Sequence, residues 1–296
     1  MARIERFEDT DESGTRHKAH ISAQAPLRVK PSRHNLAPNS ELETRGPKPD
    51  PARVIYLKKR NFNMFKKDLI LRNPLRLMGH ETEDILPKGG FGAVLARAGV
   101  GKTAFLVQLA FNSLLRNKNV LHISLDDPVK KVCLWYEEVF RNIAHQYNVK
   151  QTDQLWEAIL PYRFIMTFKV EGFSVPKLEE RLTDLTEQGI FLPHMILIDG
   201  LPFDETVRKP LSDLKTLAIN HSMHVWFAVR IHRHERPGPD GMPAPLLQVA
   251  DLFEVAIQLQ PVGKEIHVRG LKGGTAPSDH PALLLDPSTM LIKDKG

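Results

Sequence analysis

The stretch Ala96-Arg97-Ala98-Gly99-Val100-Gly101-Lys102-Thr103 constrains this 296-residue chain more than any other. It follows an apolar run at 91–95 and precedes a helix-period segment at 103–116, so the sequence predicts strand, glycine-rich loop and helix in that order. Glycines at such a junction let backbone N–H groups curl around a phosphate at a helix N-terminus. Lys102 then reaches the β and γ oxygens of a nucleoside triphosphate, and the Thr103 hydroxyl can ligate Mg²⁺. The expected nucleotide-binding set is Ala98, Gly99, Val100, Gly101, Lys102, Thr103 and Ala104. The loop opens on Ala96 where the usual pattern has glycine, and the competing reading of the stretch is a glycine-rich structural turn.

Around this loop, short apolar runs alternate with helix-period segments, the pattern of a mostly parallel sheet covered by helices. Strands are expected at 91–95, 120–125, 162–168, 195–198 and 225–231, and helices at 103–116, from Val129 to Ile143, at 174–188 and at 211–220. Ser174 is the expected N-cap and Gly189 the stop signal of the third helix. After Asp251 the runs at 252–260, 265–269, 282–285 and 290–292 read as a terminal antiparallel meander. The fold class is therefore α/β, a mostly parallel sheet flanked by helices with a C-terminal antiparallel extension.

Two acidic strand ends complement the loop. Met195-Ile196-Leu197-Ile198-Asp199 is a buried-strand run ending in a carboxylate, which at the C-terminal edge of an α/β sheet faces the ligand crevice and can help to hold Mg²⁺. The run from Val120 ends in Asp126-Asp127, where a carboxylate can accept a proton from a water attacking the γ-phosphate. Asp126 could instead simply cap the helix that follows.

With Leu86-Pro87-Lys88-Gly89-Gly90 before the loop strand, Ser124-Leu125-Asp126-Asp127-Pro128 and Ile196-Leu197-Ile198-Asp199-Gly200, the chain resembles the RecA-like P-loop ATPases, especially the KaiC-like and replicative-helicase branches. The resemblance runs over about residues 70–292, including Phe173-Ser174-Val175-Pro176 and the strand that ends in Arg230. It implies ATP and Mg²⁺ as ligands and slow hydrolysis, with Asp126 in the place of the family's catalytic glutamate, one methylene shorter. It also puts Arg230 in the place of a γ-phosphate sensor that is often glutamine. Such proteins hold nucleotide between subunits of an oligomer. A neighbour's terminal hairpin completes the site, and in Glu265-Ile266-His267-Val268-Arg269-Gly270-Leu271-Lys272-Gly273-Gly274 the basic candidates are Arg269 and Lys272. For Lys272, a merely solubilising role in a hairpin turn is the equal alternative. The rival functions are a non-hydrolysing nucleotide-gated adaptor, suggested by Ala96, Asp126 and Arg230 departing together, and a DNA recombination or repair accessory ATPase.

Charge says little about a nucleic-acid partner. Residues 1–60 hold 13 basic and 8 acidic side chains, whereas 61–296 hold 28 and 27 and are nearly neutral. The segment 1–61, with Pro26, Pro31, Pro38, Pro47, Pro49 and Pro51 and no apolar period, is expected to be a disordered basic tail ahead of an ATPase domain at 62–296. Loops around Arg208-Lys209 and from Arg233 to Pro245 could touch DNA but lack aromatics for base stacking, so solvated loops are expected. Trp135, Tyr136 and Trp156 are expected in the core or against a partner. His221 with His224, and His232 with His234, have tempting spacings, but no further ligands complete a metal site in the sequence. A single cysteine, Cys133, a polar start and no apolar run of membrane-spanning length lead to the expectation of a cytoplasmic protein without a membrane anchor.

Overall fold

The computed structural model describes residues 8–10, 16–18, 66, 67, 69, 70, 84–232, 235–238, 241–273 and 283–294. The chain divides into two compact units, Met1–Phe65 and Lys66–Gly296. The described part of the first is a two-stranded antiparallel ladder of β1 (Glu8–Thr10) and β2 (Arg16–Lys18). The rest of the expected disordered tail lies outside the described residues.

The second unit is built on a nine-stranded sheet, in the order β11-β10-β9-β8-β3-β7-β6-β4-β5. Its parallel part comprises β3 (Phe91–Ala96), β4 (Val120–Ser124), β5 (Arg163–Thr167), β6 (Met195–Asp199), β7 (His224–Arg230) and β8 (Val255–Val262). The antiparallel part continues through β9 (Glu265–Lys272), β10 (Leu283–Leu285) and β11 (Ile292–Asp294). One expectation needs correction: β8 is antiparallel only to β9 and runs parallel to β3 on its other side. Its buried residues Val255, Ala256, Ile257 and Leu259 suit a strand covered on both faces rather than a solvated meander.

Both faces are covered. On one, Phe91, Ile123, Ile198 and Phe227 share a cluster with Leu178 and Leu182 of α4 (Val175–Glu187) and Leu211 and Leu214 of α5 (Arg208–Asn220). Ser174 caps α4 as expected, its hydroxyl accepting the Lys177 N–H. The other face carries α1 (Lys102–Leu114), α2 (Val129–Gln146) and α3 (Thr152–Ile159). Phe111 of α1 packs 5.6 Å from Tyr136 and 5.8 Å from Phe140, and Phe140 packs 4.9 Å from Trp156. Tyr136 and Trp156 thus belong to the packing of this layer. Gly92 in β3 leaves the space filled by the Trp226 ring, which a Cβ there would meet at 2.5 Å. The short helix α6 (Ala244–Leu247) and α3 had no counterpart among the expected elements.

α1 is buried nearly all round, from Ala104 to Phe111 and again at Ser113 and Leu114, which marks it as the central helix. Its Gln108 hydrogen-bonds the Met290 carbonyl and the Ile292 N–H, each at 2.8 Å, tying the C-terminal strands to the helix that follows the glycine loop.

Candidate functional site

The carboxyl edge of the parallel strands gathers the predicted residues. β3 delivers the glycine loop and β6 delivers Asp199, with β7 alone between them. Connections leave β3 toward β4 and leave β7 back past β3 toward β8, so the order reverses here, the position where open α/β sheets bind ligands.

In the loop, Gly99 and Gly101 have φ of 76° and 104°, a region that side chains with a Cβ disfavour. Gly101 is also the N-cap of α1, with no side chain capping it and no acidic residue in the first turn. The helix therefore presents uncapped N–H groups and its positive dipole end to the crevice. A Cβ on Gly101 would meet Leu285 Cδ2 at 2.7 Å and Met290 Sδ at 3.3 Å, so the turn between β10 and β11 braces the loop from behind. That turn was absent from the sequence-based site, because nothing local in Leu285 or Met290 announces a partner almost two hundred residues away.

The Thr103 hydroxyl donates to Asp199 Oδ2 at 2.6 Å. Burial pushes the Asp199 carboxyl up, the Thr103 hydrogen bond and the Lys102 charge pull it down, and the carboxylates of Asp127 and Asp126 push it up again. Lys102 donates to the carbonyls of Ala96 at 3.2 Å and Arg97 at 3.1 Å. Burial holds its ammonium below the usual lysine range; Asp199 opposes that shift and Arg230 adds to it. Arg230, at the exposed end of β7, sits in register with Ala96, whose carbonyl also accepts the Ile231 N–H at 3.0 Å.

The acidic pair after β4 separates into two environments. Asp127 takes its N–H to the Ser124 hydroxyl and its carboxylate to Lys131 at 2.8 Å. Asp126 is exposed and lies against Gly200, where a Cβ would meet its Cγ at 2.8 Å; with φ of 91°, Gly200 is what lets the two strand ends approach. The capping alternative for Asp126 does not hold, because the N-cap of α2 is Pro128 and no side chain caps that helix.

Other predicted residues do not join this set within one chain. Arg269 is exposed on β9, paired with Gln258, which in turn pairs with Leu95, so it lies two strands from β3 near the same edge. Lys272 lies farther from that edge, level with Ala256, and donates to the Ala250 carbonyl at 2.6 Å. Arg208 and Lys209, expected in a loop, instead open α5: Arg208 forms a two-pronged pair with Asp251 and bonds the Gln248 carbonyl, and Lys209 pairs with Asp213, so both charges are neutralised locally. Arg233 and His234 lie outside the described residues. No helix among the described residues is long and apolar enough to cross a membrane.

The amino edge holds a grouping that the sequence spacing did not reveal. His224 comes together not with His221 but with His194 and Asp84. No protein-family model and no curated protein matches the chain.

Proposed function

We propose that the chain binds ATP with Mg²⁺ at the carboxyl edge of β3 and β6 and hydrolyses it slowly, as a RecA-like P-loop ATPase. The observation that carries this reading is the 2.6 Å Thr103–Asp199 hydrogen bond, which joins a hydroxyl on α1 to a carboxylate on β6 across 96 residues of sequence. The donor set fits the ion: a hydroxyl and a carboxylate are hard oxygen ligands of the kind Mg²⁺ takes alongside waters and phosphate oxygens. The raised pKa of Asp199 fits too, since a buried carboxylate with two others nearby is stabilised by an added cation.

Backbone N–H groups at Gly99, Val100 and Gly101 and the start of α1 would surround the β-phosphate. Lys102 would leave the loop carbonyls for the β and γ oxygens, exchanging neutral acceptors for anionic ones. Asp126 would orient the attacking water and receive its proton, since Asp127 is already engaged by Lys131. Arg230 would read charge on the γ-phosphate from the neighbouring strand end. When bound, Mg²⁺ supplies the remaining neutralisation of the phosphate oxygens.

The test is phosphate release from purified full-length protein with Mg²⁺ and ATP, with and without single-stranded DNA, beside a Lys102→Ala control. Turnover that depends on Lys102 supports the ATPase. ATP binding without turnover makes the protein a nucleotide-gated adaptor, and absence of both overturns the nucleotide site. Stimulation by DNA would identify a nucleic-acid client.

A further inference from the structure

At the opposite, amino edge of the sheet, His194 immediately precedes β6 and His224 opens β7, with the His224 N–H bonded to the His194 carbonyl at 3.0 Å. Asp84 reaches them from the segment leading into β3. His194 Nε2 lies 2.9 Å and His224 Nε2 3.4 Å from Asp84 Oδ2, and one ligand-type atom from each of the three residues lies within 4.8 Å of the others. In a tetrahedral site with bonds of 2.0–2.2 Å, donor atoms are about 3.3 Å apart. The two His–Asp separations bracket that value, the shorter being a hydrogen bond as the side chains stand, and the full set lies within 4.8 Å.

The protonation pattern calls for a cation. His224 is 3% exposed, and its Nδ1 lies 2.9 Å from the Pro87 carbonyl. A carbonyl only accepts, so Nδ1 carries the hydrogen and, in the neutral ring, Nε2 presents a lone pair. That lone pair faces a carboxylate, which also only accepts. Among the described residues, His224 Nε2 and Asp84 Oδ1 are both buried without a hydrogen-bond partner. A proton on Nε2 would satisfy that nitrogen and leave Oδ1 bare, whereas a metal ion satisfies both orphans together. The Nδ1–H to carbonyl bond is the outer contact that ordinarily fixes the tautomer and aim of a metal-bound histidine. A small cavity lined by the apolar Ile85, Leu86 and Leu109 as well as by Asp84, Asn112 and His224 adjoins two of the three residues.

We infer that Asp84, His194 and His224 form a binding site for a divalent transition metal ion of the zinc class, with water as the fourth ligand. Two imidazoles and one carboxylate suit Zn²⁺ or Co²⁺ and disfavour Mg²⁺, which prefers oxygen alone. Lys118 is the group that opposes binding: its ammonium is 2.6 Å from Asp84 Oδ2, and its side chain is about a third exposed. It can keep Oδ2 or turn to water while Oδ1 takes the ion. The ion would pin the segment entering β3 to the starts of β6 and β7. β6 has five residues, so this site stands about 16 Å from the carboxyl edge and is independent of the nucleotide site.

The test is titration of chelator-treated full-length protein with Co²⁺, read by its visible absorption, followed by displacement with Zn²⁺. The expected result is one equivalent bound with the intense band of a four-coordinate ion, undisturbed by excess Mg²⁺. His194→Ala and His224→Ala should each weaken binding at least tenfold, while Lys102→Ala leaves it unchanged. Because a buried histidine variant can fail to fold, Lys118→Ala supplies a gain-of-function arm: removing the competing charge should tighten binding severalfold. No Co²⁺ band in the wild-type protein, an octahedral spectrum, or affinity unchanged in both His194→Ala and Lys118→Ala would overturn the assignment.

Discussion

Replacing Lys102 by alanine separates its role in the fold from its role with phosphate. Among the described residues its ammonium hydrogen-bonds the carbonyls of Ala96 and Arg97, at a loop open to water. Both carbonyls can rehydrate, and burial already disfavours the charge, so the free protein should change in stability by no more than about 1 kcal/mol. The nucleotide complex should respond differently, because truncating one partner of a desolvated charge pair costs about 2–5 kcal/mol. At about 1.4 kcal/mol per tenfold, that is roughly a 30-fold or greater loss of affinity. With Mg²⁺-ATP at one hundred times the wild-type Kd, bound ligand stabilises by about 2.7 kcal/mol; a 30-fold weaker variant retains about 0.9 kcal/mol or less. For a unit of this size each kcal/mol moves Tm by about 2–4 °C, so scanning fluorimetry should show a ligand shift of about 5–11 °C in the wild type and at most about 2–4 °C in the variant. A folded Lys102→Ala protein with the wild-type shift would refute the phosphate role. An unfolded one would refute the claim that this side chain makes no structural contribution of weight.

Asp126→Asn should leave the ATP-dependent thermal shift in place and slow phosphate release by roughly 10²–10⁴-fold, as expected for loss of a general base; if Asp127→Asn does this instead, the water-orienting carboxylate is the one paired with Lys131. Arg269→Ala subunits mixed with Lys102→Ala subunits, each inactive alone, should regain partial turnover if nucleotide sits between subunits, and exchange without rescue would dismiss the shared site. Lys272→Ala should instead cost about 1 kcal/mol of stability with turnover kept, because its ammonium serves the Ala250 carbonyl of its own chain. His122 is fully buried beside Tyr136, and burial, with the Arg163 charge adding, holds its pKa down at about 3. A base depressed in the folded state leaves the unfolded chain binding more protons, so stability falls as pH drops below about 6.5, by about 2 kcal/mol at pH 5. Urea midpoints for His122→Gln should lose that share of the pH dependence, and an unchanged slope between pH 7 and 5 would show that other groups carry it.

The sequence alone determined the local elements and one edge of the site. An apolar run at 91–95, a glycine-rich loop and a helix period at 103–116 predict strand, loop and helix, and the structure has them at Phe91–Ala96 and Lys102–Leu114, because those signals act within a few residues. The strand ending in Asp199 was legible for the same reason: an unbroken apolar run must be buried, and the first carboxylate after it must surface at the strand's end. What the run after Asp251 would pair with was not legible, since β8 carries the same alternating and apolar residues whether it joins β3 in parallel or a separate meander. Only the sheet order, settled by covering both faces at once, put it beside the glycine loop. The Leu285–Met290 brace behind Gly101 and the Gly200 contact that positions Asp126 are likewise absent from any local window. The Asp84–His194–His224 cluster shows the limit most plainly. Spacing drew attention to His221 and His224, three residues apart, yet parallel strand register aligns His224 with Met195 and so brings it beside His194, thirty residues away in sequence. Residues meet across a parallel sheet by register, and register is decided by the packing of the whole domain rather than by any segment of it.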